Sequence, residues 1–426
     1  MDIFLIILIL GITAASFQAW NIGANDVANA MGTSVGSKAV TLKQAIIIAA
    51  VFEFSGAVLV GSHVADTLRN GLIDTSYFNT HPELLAIGML SALLAAGIWL
   101  FIATIFGLPV STTHAIVGSV VGIGIAAIGF HAVYWPKVIQ IATSWVISPI
   151  FGGVMAYAIF TILRRLIYRS ARPIHAIKRV GPFLIFTLFF ILSMSVLFKG
   201  LKNLKLDLSM GQAMGLSGLI ALMAAAIGGV LIARMKEAPV EKTNKFGTGE
   251  LRSQFTSVER VFMKMQILTA CSMAFAHGAN DVANAIGPLA VIASLYQQSV
   301  GIAVKSVGIP MWIVLLGGVG IVIGLATYGY KVIQTIGNNI TELTPMRGFS
   351  AELAAASTIL MGSRLGLPIS TTHTLVGAVI GIGLAQGVNG INRKVIINIV
   401  NSWLITVPFA ALVAIVLYFI LSTILI

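Results

Sequence analysis

The sequence predicts an all-α polytopic membrane protein with about twelve transmembrane helices, arranged as two inverted repeats whose helices break at the midplane. Three observations predict it. Hydrophobic residues make up 58% of the 426 positions and charged residues only 9%, too few to coat a soluble chain of this length. The apolar residues gather in solid stretches of bilayer-spanning length, about 20 residues, and not in the short alternating segments of a membrane barrel. Two polar motifs occur twice, in the same order, in the two ends of the chain.

The apolar runs lie at about 3–20, 44–64, 84–105, 114–130, 138–163, 183–198, 211–233, 261–276, 311–330, 351–363, 373–388 and 395–425. The first carries Asp2 as its only early charge, so 1–20 reads as a span and not as a cleaved signal peptide. Half of the 26 Lys and Arg residues lie in two segments, 164–179 and 234–264, both beside apolar runs. Basic loops beside spans mark the cytoplasmic side, which places 164–179 and 234–258 inside and the N- and C-termini outside a cell membrane. Lys199, Lys202 and Lys205 fall outside and run against this rule. The net charge of +12 is therefore an orientation and lipid-contact signal, and no nucleic-acid partner is expected. Residues 234–258 are the one clearly polar linker, with a short amphipathic helix expected near its end. Cys271 is the single cysteine and has no partner for an intramolecular disulfide.

The repeat is the informative feature. Gly23-Ala24-Asn25-Asp26-Val27-Ala28-Asn29-Ala30 recurs letter for letter as Gly278-Ala279-Asn280-Asp281-Val282-Ala283-Asn284-Ala285. Gly107-Leu108-Pro109-Val110-Ser111-Thr112-Thr113-His114 returns as Gly366-Leu367-Pro368-Ile369-Ser370-Thr371-Thr372-His373. A weaker echo pairs Lys137, Ser144 and Trp145 with Lys394, Ser402 and Trp403. The chain divides into an N-terminal repeat (1–163, about five spans), a joining segment (164–258, two spans and the basic loop) and a C-terminal repeat (259–426, about five spans). Five spans plus two is odd, so the second half enters the membrane from the opposite side. Inverted repeats are an architecture of secondary transporters, with the site at the midplane.

Four carboxylates fall at membrane depth: Asp26, Glu53, Asp281 and Glu352. A charge there costs roughly 2.5–3.5 kcal/mol even on gentle scales, so each needs a partner. Asp26 and Asp281 are repeat mates; Glu53 and Glu352 come from different helices, with Ile321 and Leu93 as their respective mates. Asn and Asp favour helix N-caps. The Asn25-Asp26 and Asn280-Asp281 pairs are expected to break a membrane helix and expose carbonyl and carboxylate oxygens for a small cation, with Asn29 and Asn284 one turn on. Pro109 and Pro368 end a helical piece, and Ser111 and Ser370 cap the next. The hydroxyls of Ser111, Thr112, Thr113, Ser370, Thr371 and Thr372 and the free N–H groups of two new helices then form an anion site. His114 and His373 close this motif. His277, whose counterpart is Ile22, is expected to stand outside any symmetric site. Two like charges about 4 Å apart at an effective dielectric near 20 repel by about 4 kcal/mol. An oxyanion beside two aspartates therefore requires cations between them: two or more Na⁺, or protons. A membrane enzyme would need a nucleophile–base–orienter set; Ser111 with His114 lacks the third member, and its duplication in the second half argues against an active site.

With these motifs the chain resembles the inorganic phosphate transporter (PiT) family of sodium- or proton-coupled phosphate symporters, over both halves. The resemblance implies cotransport of inorganic phosphate by alternating access in a homodimer. It implies that Asp26, Asp281, Asn25 and Asn280 are core cation and phosphate residues, and that Ser111, Thr112, Thr113, Ser370, Thr371 and Thr372 hold phosphate. Glu53 and Glu352 resemble family glutamates needed for transport. The expected metal set is Asp26, Asp281, Asn25, Asn280, Asn29, Asn284, Glu53 and Glu352 for Na⁺ as coupling ion, with no other cofactor. Proton coupling, or another oxyanion such as sulfate, is the alternative. The short linker departs from relatives that carry a large cytoplasmic insertion.

Overall fold

The computed structural model describes residues 2–61, 72–235 except 201–207, 248–301, 309–364, 369–387 and 390–426. Gly366, Leu367, Pro368, Asp66, Arg69, Lys202, Lys205 and most of the polar linker (236–247) lie outside the described residues.

The described chain is helical. α1 (Ile3–Gly36) and α2 (Leu42–Val60) form the first pair. α3 (Pro82–Ile105) and α4 (Thr112–Ala127) form a hairpin, followed by α5 (Trp135–Leu163), which ends in a π-turn at Arg164–Tyr168. α6 (Pro173–Gly200) and α7 (Met210–Ala233) pack on each other. α8 (Thr248–Asp281) and α9 (Ala283–Ser299) follow, then α10 (Met311–Tyr328) and the short α11 (Tyr330–Gln334). A second hairpin, α12 (Pro345–Arg364) and α13 (Thr371–Gln386), precedes α14 (Arg393–Leu425). The short helix expected before 258 is the first part of the unbroken α8.

Two expectations are corrected. Among the described residues, eight helices, not twelve, are long and apolar enough to cross a bilayer. The eight are α1, α2, α3, α5, α6, α7, α10 and α14; the apolar runs at 114–130, 261–276, 351–363 and 373–388 fall in helices outside that set, and two of these, α4 and α13, are only 16 residues long. The open end of α3–α4 lies beside residues 72–79, where Asp74 N donates to Ala132 O at 2.9 Å and Ile73 bridges Val133. The open end of α12–α13 lies beside residues 164 and 340, where Arg164 Nη1 donates to Ala385 O at 3.1 Å and Asn392 N donates to Ile340 O at 3.0 Å.

The second correction concerns the helix breaks. α1 runs without interruption through Asn25 and Asp26. The second motif is interrupted only at Val282, which keeps helical dihedrals (φ −55°, ψ −32°). Asn and Asp break helices by bonding their own backbone. Here Asn25, Asp26 and Asn29 bond to the hairpin tips instead, and the helix continues.

Small residues let the backbones touch, the usual packing of membrane helices. A Cβ at Gly23 would land on the Ile321 carbonyl, so α1 and α10 meet there backbone to backbone. The tip of the first hairpin is set by Gly107 (φ +63°), a left-handed residue that closes α3. Gly107 N donates to Thr104 O at 3.0 Å and Leu108 N to Ala103 O at 2.9 Å, the Schellman pairing that satisfies the last carbonyls of a helix.

Candidate functional site: two hairpin tips over a carboxylate cluster

Each hairpin helix starts as its sequence requires. Ser111 and Ser370 have extended backbones and accept from His114 N (3.4 Å) and His373 N (3.2 Å), the N-cap bonds of α4 and α13. Both helices thus begin deep in the protein, with free N–H groups in their first turns.

The tips dock on the motifs of α1 and α8–α9, in part crosswise. From the second hairpin, Thr372 Oγ1 donates to Asp26 Oδ1 (3.2 Å) and accepts from Asn29 Nδ2 (2.8 Å). From the first hairpin, Thr112 Oγ1 and Thr113 Oγ1 accept from Asn284 Nδ2 at 3.0 and 3.3 Å. Thr371 Oγ1 donates to Asp281 Oδ2 at 3.2 Å. Asn29 Nδ2 also donates to Asp26 Oδ1 at 2.9 Å. The structure therefore brings Asp26, Asp281, Asn29, Asn284, Thr112, Thr113, Thr371 and Thr372 into one cluster, buried except at the half-buried Thr113.

Asn25 has another task. Its Nδ2 donates to Thr104 Oγ1 and Leu108 O, both at 3.0 Å, and its Oδ1 accepts from Val110 N at 3.1 Å. These three bonds engage the amide in holding the first hairpin's turn. Asn280, its repeat mate, is half-buried in α8.

The glutamates lie in different surroundings. Glu352 is fully buried and accepts from Thr33, Ser34 (2.8 Å), Gln266 (3.4 Å) and Thr269. Gln266 Oε1 also accepts from Ser37 Oγ at 2.7 Å, and Ser37 lines a vestibule of about 710 Å³ with Lys38, Glu259 and Asn338. Asp26, Asn29, Thr33 and Ser37 follow helical spacing, so a polar stripe on α1 joins the cluster to this vestibule. Glu53 is equally buried but has no hydrogen-bond partner at either oxygen among the described residues; His277 Nδ1 lies 3.4 Å from its Oε1.

His277, which has no repeat mate, joins the cluster as an asymmetric member. Its Nε2 lies 2.8 Å from Asp281 Oδ2 and 3.6 Å from Asp26 Oδ2. One imidazole thus faces three carboxylates from three helices. Its signal in the sequence is the i, i+4 spacing to Asp281, a spacing that the first copy of the repeat, with Ile22 in that place, lacks. Asp26, His277 and Asp281 each offer a ligand atom within 4.8 Å of the others, a spacing that suits a metal ion. Asp26 Oδ2 and Asn29 Oδ1 are buried acceptors with no donor among the described residues. Pro288 lacks the N–H that would bond the Asn284 carbonyl, which leaves a further oxygen near the cluster.

Comparison with known proteins adds three findings. A profile of the Phosphate transporter family matches residues 22–414. The Arabidopsis thaliana protein named "Inorganic phosphate transporter 2-1, chloroplastic" is 46% identical over 419 residues, covering 96% of this chain and 71% of that one. A solved structure titled "The sodium-dependent phosphate transporter" superposes with a TM-score of 0.85 at 39% identity, covering 98% of this chain and 99% of that one.

Proposed function

Because the chain belongs to the phosphate transporter family, we propose that it carries inorganic phosphate across a membrane by symport with Na⁺. The observation that carries the reading is the set of buried acceptors without donors, Asp26 Oδ2 and Asn29 Oδ1, directly beneath two helix N-termini. An unpaired buried acceptor costs about 1–3 kcal/mol, more when charged, and a bound cation removes that cost. The helix N-termini favour an anion through their N–H groups and dipoles. Cations held by Asp26 and Asp281, with Asn29, Asn284 and the threonine hydroxyls, bridge these carboxylates to a phosphate that Ser111, Thr112, Thr113, Ser370, Thr371 and Thr372 hold.

The topology fits a carrier. We read the chain as eight crossings with two re-entrant hairpins, one from each side, and α8 and α9 together as one crossing. The halves are then inverted, as the repeat predicts. Both termini lie outside and the basic segments inside, on the side of the vestibule.

One observation favours a second reading. An imidazole between three carboxylates can carry a proton, so His277 with Glu53 supports H⁺ as the coupling ion. Uptake of radiolabelled phosphate into proteoliposomes separates the two. Under the main reading an inward Na⁺ gradient drives accumulation and an inward H⁺ gradient at zero Na⁺ does not. Uptake driven by H⁺ alone assigns the coupling to His277 and the acids, and no uptake under either gradient removes the transport reading.

A further inference from the structure

The repeat includes two histidines and two tryptophans that the carboxylate cluster does not use. His114 follows Thr112 by two positions on α4, and His373 follows Thr372 by one on α13. Both imidazoles are buried and meet edge to face, with ring centroids 4.3 Å apart. Trp145 of α5 lies on His114 with centroids 3.7 Å apart, and Trp403 of α14 lies on His373 at the same distance. The four rings form a column, Trp145–His114–His373–Trp403, whose middle joint is the contact between the two hairpin helices.

Both ends of the column are tied across the halves. The Trp403 indole N–H donates to Pro109 O at 2.9 Å, so a helix of the second half holds the first hairpin's tip. His373 Nδ1 lies 3.3 Å from Trp145 O, so a helix of the first half holds the second hairpin. Each histidine also supplies the backbone N–H that its capping serine accepts. The first turns of both helices are therefore referenced to one column of rings in contact. Neither Nε2 has a hydrogen-bond partner among the described residues, so ring contact, not bonding at that nitrogen, sets the joint.

We propose that His114 and His373, clamped by Trp145 and Trp403, are positioning residues that set the separation of the two hairpin tips and thereby the size of oxyanion the transporter accepts. The proposal rests on the reading of the tips as the phosphate cradle. Its consequence is selectivity. A tip spacing held by these packed rings suits one tetrahedral oxyanion and disfavours a larger one of the same charge, and removing a ring lets the tips shift.

The test is competition of radiolabelled phosphate uptake by unlabelled phosphate and by arsenate, the larger tetrahedral oxyanion, in proteoliposomes. Wild-type protein is measured first; absence of phosphate-competable uptake there defeats the transport reading itself, before any variant is compared. H114A and H373A are expected to shift the ratio of half-inhibitory concentrations toward arsenate by about fivefold, equivalent to about 1 kcal/mol. H114F keeps a ring in the column and is expected to hold the wild-type ratio. This ratio does not depend on how much protein is folded, so a general loss of stability leaves it unmoved. W403F keeps a ring in the column but removes the indole bond to Pro109, and carries the test where an alanine variant does not fold: a shift of about twofold or more is expected. Alanine variants that hold the wild-type ratio, or an unchanged ratio in W403F where no alanine variant folds, overturn the proposal.

Discussion

Asp26 and Asp281 occupy equivalent places in the two motifs but not equivalent surroundings. Asp281 has Thr371 and His277 close by; Asp26 has Thr372 and Asn29, with His277 farther away. Under the cation-bridge mechanism each carboxylate charge is essential. Asp26→Asn and Asp281→Asn are each expected to lower phosphate uptake at least about tenfold, the factor that about 1.4 kcal/mol of lost cation binding already gives. The amide is nearly isosteric, so size-exclusion profiles in detergent should match wild type; uptake near the wild-type rate from either variant removes the bridge. Both aspartates were legible because a buried charge kept in two copies needs a use. His277 was not, because a search keyed to symmetry cannot find a residue present in one copy. Asn25 stood out in the sequence, but its bonds to Thr104, Leu108 and Val110 could not be read there, since an amide carries no local sign of its tertiary partners.

At the scale of elements, the proline-and-serine motif read correctly as a new helix start, because an N-cap is a local device written in a few residues. The Asn-Asp motif did not break its helix, because its side chains found partners in another hairpin, and such tertiary partners are invisible to local propensity. Hairpin arms and full crossings share one composition, so the twelve apolar runs could not reveal which of them turn back. The close backbone packing of α1 and α10 gives a prediction at this scale. Gly23→Ala places a methyl group on the Ile321 carbonyl, where neither backbone can give way cheaply. It is expected to cost about 1–3 kcal/mol, read as a lower thermal unfolding midpoint in detergent. Gly215→Ala on α7, where nothing lies within 4 Å, is the control and should leave the midpoint unchanged or raise it.

Across the whole molecule, the two-fold pattern of the sequence organises the hairpins, the threonines and the aromatic column, while the glutamates and His277 break it. Glu352 is held by four donors beside the vestibule, whereas Glu53 faces His277 and has no hydrogen-bond partner among the described residues. The carrier therefore meets a different landscape on the way in than on the way out. Thermodynamics fixes only the final accumulation ratio, which the gradients set, and leaves the two half-cycles free to differ in speed. The protein should thus behave as a partial rectifier. In uniformly oriented vesicles, reversing all gradients is expected to give unequal maximal fluxes with the same equilibrium ratio, and Glu53→Gln should alter the flux asymmetry without moving that equilibrium. A lopsided pair of acids in an otherwise mirrored frame would then let a cell set how fast phosphate leaks back independently of how far it can be concentrated.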